Sequence, residues 1–203
     1  MYEYFTHGTN MHGLKAILQS GGLDDTFTDH EMYYTMDIPN GIYCHYIWDG
    51  LPVYPDMKWA YNPILFVMDT SIAKRNEMYI CDSGYFGECV EFRESRIRHS
   101  KGNLKRKPNL NPLKKKILED LHENVEKKTK RTKYVYLMSH EVIFKGQIPL
   151  SFVKAILLPK DEYKRLGNDI PILEEYLKQR SIQLIPYAPY TKNFHKYYEM
   201  INP

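Results

Sequence analysis

Cysteine is scarce in this chain of 203 residues. There are three, Cys44, Cys81 and Cys89, and no CxxC pair. An odd count without paired spacing argues against a disulfide scaffold and favours a reduced, intracellular setting. The eight histidines are scattered, with neither HExxH nor a His/Cys ligand spacing, so no metal is expected. No apolar run nears the ~18–20 residues that cross a bilayer. The opening MYEYFTHG has neither the basic start nor the apolar stretch of a secretory signal. A cytoplasmic protein without a membrane partner is therefore expected. The glycine fingerprints GxGxxG and GxxxxGK[ST] are also missing, which disfavours a Rossmann or P-loop fold.

What is present is an ordinary globular composition, 43% hydrophobic and 26% charged, enough for the core of a single domain over residues 1–203. The charge is uneven. Residues 96–133 hold fourteen Lys or Arg against four acids, a net of +10 in a chain whose formal total is +3, so the remainder carries −7. Such a window reads as a basic insertion laid on a mildly acidic body. It is either a solvated helix face or a surface for a nucleic-acid or acidic-protein acceptor, with Lys114, Lys115 and Lys116 its densest cluster.

The patterning predicts an α+β chain with strands in excess, helices at the periphery and no βαβ alternation. A strand is expected at 2–6, then a turn at His7-Gly8-Thr9-Asn10. A helix follows, capped by Thr9 or Asn10, carrying Leu14, Ile17 and Leu18 on one face, and stopped by Gly21-Gly22. Loops are expected at 24–40 and 49–62. Strands are expected at 41–47, 64–68, 77–81, 88–92, 155–158 and 183–185, with the longest at 134–144. A turn or single helical turn fits 148–153. Helices are expected at 113–128, where Leu113, Ile117, Leu121 and Val125 recur, and at 170–179, with Ile172, Leu173, Tyr176 and Leu177 on one side.

Three polar residues sit where the patterning suggests burial. His7 ends the opening strand beside a glycine that would let a flat amide approach the backbone; it also fits as a packed strand-end histidine. Tyr43, in GIYCHY, fits a cross-strand core position or an aromatic platform for a planar ring. Glu141, in YVYLMSHEVIF, shares a strand face with Leu137, Ser139 and Ile143. A carboxylate there is costly unless it is paired or lines a wet cleft. The alternative is an edge strand on which Glu141 faces water.

Taken in order, these segments resemble the NAD-dependent ADP-ribosyltransferases of the diphtheria-toxin and poly(ADP-ribose) polymerase type. HGTN-x3-LKAIL-x2-GGL (7–23) is similar to that family's opening His-Gly-Ser/Thr motif. PNGIYCHY (39–46) is similar to its Gly-Ile-Tyr-Phe strand, and SHEVIFKGQIPLSFVKAIL (139–157) to its catalytic-Glu strand and return. The likeness touches roughly 45 residues of the 203. It implies a split antiparallel sheet core and NAD as substrate. It implies that His7 bonds the adenosine ribose, Gly8 offers its backbone to the nicotinamide carboxamide, Tyr43 stacks on the nicotinamide ring, and Thr9 and Ser139 belong to the same cofactor-binding set. Glu141 would hold the nicotinamide ribose and stabilise the charge that develops as the glycosidic bond breaks.

The segment after Tyr43, CHYIWDGLPVYPDMKWAY, has none of the serines that polymerase-type members carry there, and Tyr54 or Tyr61 stands as the second stacking candidate. Ser139 occupies the place where arginine-modifying relatives carry Glu or Gln. The opening also resembles toxin-like enzymes that modify DNA bases. The implied activity is mono-ADP-ribosyl transfer to a macromolecule by a monomer. The alternatives are a nucleic-acid-binding module on the same fold, or an NAD-dependent RNA 2′-phosphotransferase. The latter family has an arginine where this chain has Thr6.

Overall fold

Residues 64–68, Ile-Leu-Phe-Val-Met, are buried without exception. An apolar run bounded by Pro63 and Asp69 becomes a strand packed on both faces, and burying side chains such as Leu65 or Phe66 contributes roughly 1.5–3 kcal/mol each. The computed structural model describes residues 2–24, 41–48, 63–76, 78–82, 91–93, 96–98, 132–134, 137–188 and 194–201. Of Trp48 and of the strand residues between 78 and 142 it gives the backbone course.

The strands, in chain order, are β1 (Glu3–Thr9), β2 (Gly22–Leu23), β3 (Ile42–Trp48), β4 (Ile64–Asp69), β5 (Met78–Asp82) and β6 (Glu91–Arg93). They continue with β7 (Arg96–Arg98), β8 (Thr132–Tyr134), β9 (Leu137–Phe144), β10 (Ile148–Pro149), β11 (Val153–Pro159) and β12 (Gln183–Tyr187). The helices are α1 (Met11–Ser20), α2 (Ile72–Arg75), α3 (Lys160–Leu166), α4 (Ile170–Lys178) and α5 (His195–Glu199), with 3₁₀ turns at Leu150–Phe152 and Gly167–Asp169. The result is a mixed α/β chain whose strand pairs are mostly antiparallel. Among the described residues no helix is long and apolar enough to cross a membrane.

The chain falls into two compact units. The first comprises Met1–Leu23, Ile47–Thr70 and Ile148–Pro203, the second Asp24–Tyr46 and Ser71–Gln147. In the first unit the strand order is β12-β11-β4-β1. β4 pairs antiparallel with β1, from Tyr4 opposite Asp69 to Thr9 opposite Ile64, and antiparallel with β11 on its other side. β11 and β12 run parallel, so their connection must cross over, and α3 and α4 supply that crossover. One βαβ unit thus stands where the sequence predicts none. Its cause is local: Gly167 breaks the first helix and Pro171 starts the second, leaving room to return.

α1 follows β1 through Asn10, whose Oδ1 accepts from the Gly13 N–H at 2.9 Å, and it ends at Gly21 in the left-handed conformation. Leu14 and Ile17 are buried. Residues 7–9 are strand rather than the expected turn, because His7, Gly8 and Thr9 stay in register with Phe66, Leu65 and Ile64. α4 also packs differently from its periodicity. Ile170 and Leu177 are buried, whereas Ile172 is 72% exposed.

The C-terminal α5 closes the first unit with an aromatic cluster. Tyr2, Tyr4 and Tyr198 lie with ring centroids 5.6–6.3 Å apart, and Phe194 and Tyr197 meet Tyr187 edge-on at 5.4 and 5.9 Å. The Tyr2 hydroxyl is hydrogen-bonded to His195 Nδ1, and the Tyr187 hydroxyl donates to the Pro63 carbonyl. Burial pushes the Tyr198 phenol well above its ordinary range, and burial together with the Asp69 charge raises Tyr4.

The second unit has strand order β3-β9-β5-β8 and a separate β6-β7 hairpin pair. β9 is antiparallel to both β3 and β5, and β8 is parallel to β5. The single long strand expected at 134–144 is therefore two, lying on opposite sides of β5. The strands expected at 77–81 and 88–92 overlap β5 and β6, with 77 and 88–90 outside the described residues. The expected helix at 113–128 and most of both expected loops lie outside the described residues.

Candidate functional site

β9 is an interior strand of the second unit, so Glu141 does not lie on an edge. Its row reads across three strands, with His45 of β3 and Cys81 of β5 each directly opposite position 141. One step along, Tyr43 and Tyr79 flank Ile143 in the same way. Opposed residues of antiparallel pairs share a sheet face, so Tyr43, His45 and position 141 fall on one face. On that face Tyr43 and His45 are half-buried while Ile47 and Ile143 are buried; Ile42, Cys44 and Tyr46 on the other face are all buried. Burial pushes the Tyr46 phenol up.

The ladders on both sides of β9 change at Glu141. The β3 register runs from Ile42 opposite Phe144 to His45 opposite Glu141. On the β5 side Cys81 pairs with Glu141, but its neighbour Asp82 pairs with Leu137. The segment 138–140, which includes Ser139, therefore bulges out of register just before Glu141. Bulges of this kind redirect the strand and expose backbone groups, and they concentrate beside active sites.

Gly41 explains how β3 begins beside this strand. A β-carbon at position 41 would stand 2.5 Å from the Phe144 carbonyl oxygen and 2.6 Å from Ile143 Cγ2. Only glycine lets the backbones close there, which sets the register that places Tyr43 and His45. Beyond β9, Asn76 Nδ2 donates to the carbonyls of Lys145 at 2.7 Å and Gln147 at 3.3 Å, fastening the outgoing turn to the end of α2.

The remaining candidates are placed as follows. His7 and Gly8 are half-buried on β1 of the first unit. Thr9 is buried, and its Oγ1 fills the space beside Gly13 at the start of α1. Tyr54 and the cluster Lys114, Lys115 and Lys116 lie outside the described residues. His45 and Gly13 did not figure among the sequence candidates. Residue parity along GIYCHY puts His45 on the Tyr43 face, but only the strand register reveals that it opposes Glu141.

A separate apolar groove of about 500 Å³ runs between α1 and α4 of the first unit, lined by Leu14, Leu18, Leu166, Ile172 and Leu173. Tyr176 also lines it and donates its hydroxyl to the Leu18 carbonyl at 2.9 Å. Compared with known proteins, the chain matches no family model and no curated protein.

Proposed function

We propose that this protein is an NAD-dependent mono-ADP-ribosyltransferase built on a split antiparallel sheet of the ADP-ribosyltransferase kind. The observation that carries the reading is the position of Glu141. It lies on an interior strand, beside a bulge, on the sheet face that also holds Tyr43 and His45. A glutamate held at such a place stabilises positive charge that develops close by.

In this reading Tyr43 stacks on the nicotinamide ring, His7 bonds the adenosine ribose, and Gly8 offers its backbone to the carboxamide. The bond between ribose C1′ and the nicotinamide nitrogen breaks, and its electron pair leaves with nicotinamide. C1′ acquires oxocarbenium character, which the Glu141 carboxylate stabilises while holding the 2′-hydroxyl. An oxygen or nitrogen of the acceptor then bonds C1′, and its proton passes to Glu141 or to water. The acceptor is a macromolecule, and Lys114, Lys115 and Lys116 are the proposed contacts to its acidic groups.

The test is nicotinamide release from labelled NAD by the purified chain, with and without a mixture of protein, DNA and RNA. Glu141→Gln keeps the shape and removes the charge. It should lower turnover at least about a hundredfold, in the range seen when a transition-state charge loses its partner, with the melting temperature unchanged. A wild-type protein that neither binds nor consumes NAD at saturating concentration would sink the reading.

A further inference from the structure

The row crossing the second unit's sheet at Glu141 begins with a histidine that no step of the proposed reaction uses. His45 opposes Glu141 directly in the antiparallel β3–β9 pair. Residues so placed have β-carbons about 4.5–5.5 Å apart on one face, the separation over which cross-strand pairs of opposite charge interact. An imidazole has N–H donors and a carboxylate accepts, so the two residue types are chemically matched at that spacing.

The other groups around position 141 are poorer partners. Cys81 stands on the opposite flank, Tyr43 and Tyr79 lie one row away, and Ser139 lies on β9 itself. Thiol, phenol and hydroxyl are neutral donors near neutral pH; imidazole alone in this set can carry a positive charge. The ladders sharpen the need for a partner. With 138–140 out of register with β5 and the β3 register ending at His45 opposite Glu141, regular pairing stops at Glu141 on both sides. A carboxylate at the end of regular pairing is held by its side-chain partners, and small misplacements of a catalytic group cost large factors in rate.

The geometry points to His45 as a positioning residue for Glu141: their cross-strand juxtaposition on one face of the β3–β9 pair fixes the carboxylate that the reaction uses. This inference rests on Glu141 being the essential carboxylate, and its test separates the two ideas. The Glu141 carboxyl carbon is followed by NMR across pH in the full chain, the resonance being assigned by its loss in Glu141→Gln. His45→Ala should raise the Glu141 midpoint by about one unit or more, as expected when a cationic neighbour within ~4–6 Å is removed. His45→Gln, which keeps an N–H donor, should move it less.

In turnover, His45→Ala should lower kcat about tenfold or more with KM for NAD nearly unchanged, as loss of a group acting only in the transition state does. His45→Gln should recover part of that loss, and His45→Ala should cost nothing further in the Glu141→Gln background. A Glu141 midpoint that stays put in His45→Ala overturns the inference whatever NAD does. A shifted midpoint in a protein that consumes no NAD upholds the pairing and overturns the ADP-ribosyl transfer reading instead.

Discussion

The side chain of Thr9 occupies the space that a side chain at position 13 would need. A β-carbon on Gly13 would collide with Thr9 Oγ1 and stand 3.3 Å from Thr9 Cβ. The end of β1 therefore locks onto the first turn of α1, and the lock holds the strand that carries His7 and Gly8. Alanine has the better intrinsic helix propensity, by ~1 kcal/mol, yet Gly13→Ala should destabilise the chain by about 1–3 kcal/mol through overpacking. Thr9→Ala in the same chain should restore most of the loss. Urea unfolding of the single and double variants measures both effects. A Gly13→Ala chain more stable than wild type would show that the helix start yields freely.

The exposed Ile172 and the buried Leu177 of α4 form a second contrast. Periodicity puts them on one side, but the helix packs through Ile170 and Leu177. Ile172→Gln should change stability by no more than about 0.5 kcal/mol. Leu177→Ala should cost about 2–5 kcal/mol by leaving a cavity. Equal losses from the two would restore the simple amphipathic reading of this helix.

These cases show what residue patterns can and cannot carry. β4 is legible because its apolar run permits a single role, and α1 because Asn10 and Gly21 mark both its ends. The division of 134–144 is not legible, since Tyr134, Val135 and Tyr136 all favour strand and no glycine or proline marks a break. The crossover from β11 to β12 hides for a different reason: parallel pairing is a tertiary choice that neither strand encodes. At the site, Glu141 is visible as a carboxylate in an apolar strand, a local conflict that draws notice. His45 is not, because its meaning depends on a register set by Gly41 closing on Phe144.

Alkaline pH offers a test of the aromatic clusters. Burial raises the phenols of Tyr198 and Tyr46, and burial plus the Asp69 charge raises Tyr4. A raised folded value means that the native state keeps protons that the unfolded chain releases. Unfolded tyrosines ionise near pH ~10. Below that pH these three groups add no pH dependence, and above it the unfolded state binds fewer protons, so stability falls as pH rises. Urea midpoints measured across this range should drop in step with the appearance of tyrosinate absorbance on unfolding. Tyr4→Phe should make the drop shallower. An unchanged slope would remove Tyr4 from the account.

Asn76 makes a prediction that separates a structural clamp from a catalytic part. Its Nδ2 donates to the Lys145 and Gln147 carbonyls, while its backbone N–H closes α2 on the Ile72 carbonyl. Asn76→Ala removes both side-chain donations, one part-buried and one exposed, and should cost about 0.5–1.5 kcal/mol, the net worth of such a hydrogen bond. Asn76→Asp keeps the shape but sets an acceptor against two acceptors, so it should cost more than alanine at neutral pH. If the clamp serves only to hold the turn after β9, both variants should lose thermal stability while retaining the Glu141 carboxyl midpoint seen in wild type. A shifted midpoint with stability intact would mean instead that the turn transmits its position along β9, and that Asn76 belongs with His45 among the residues that place the carboxylate.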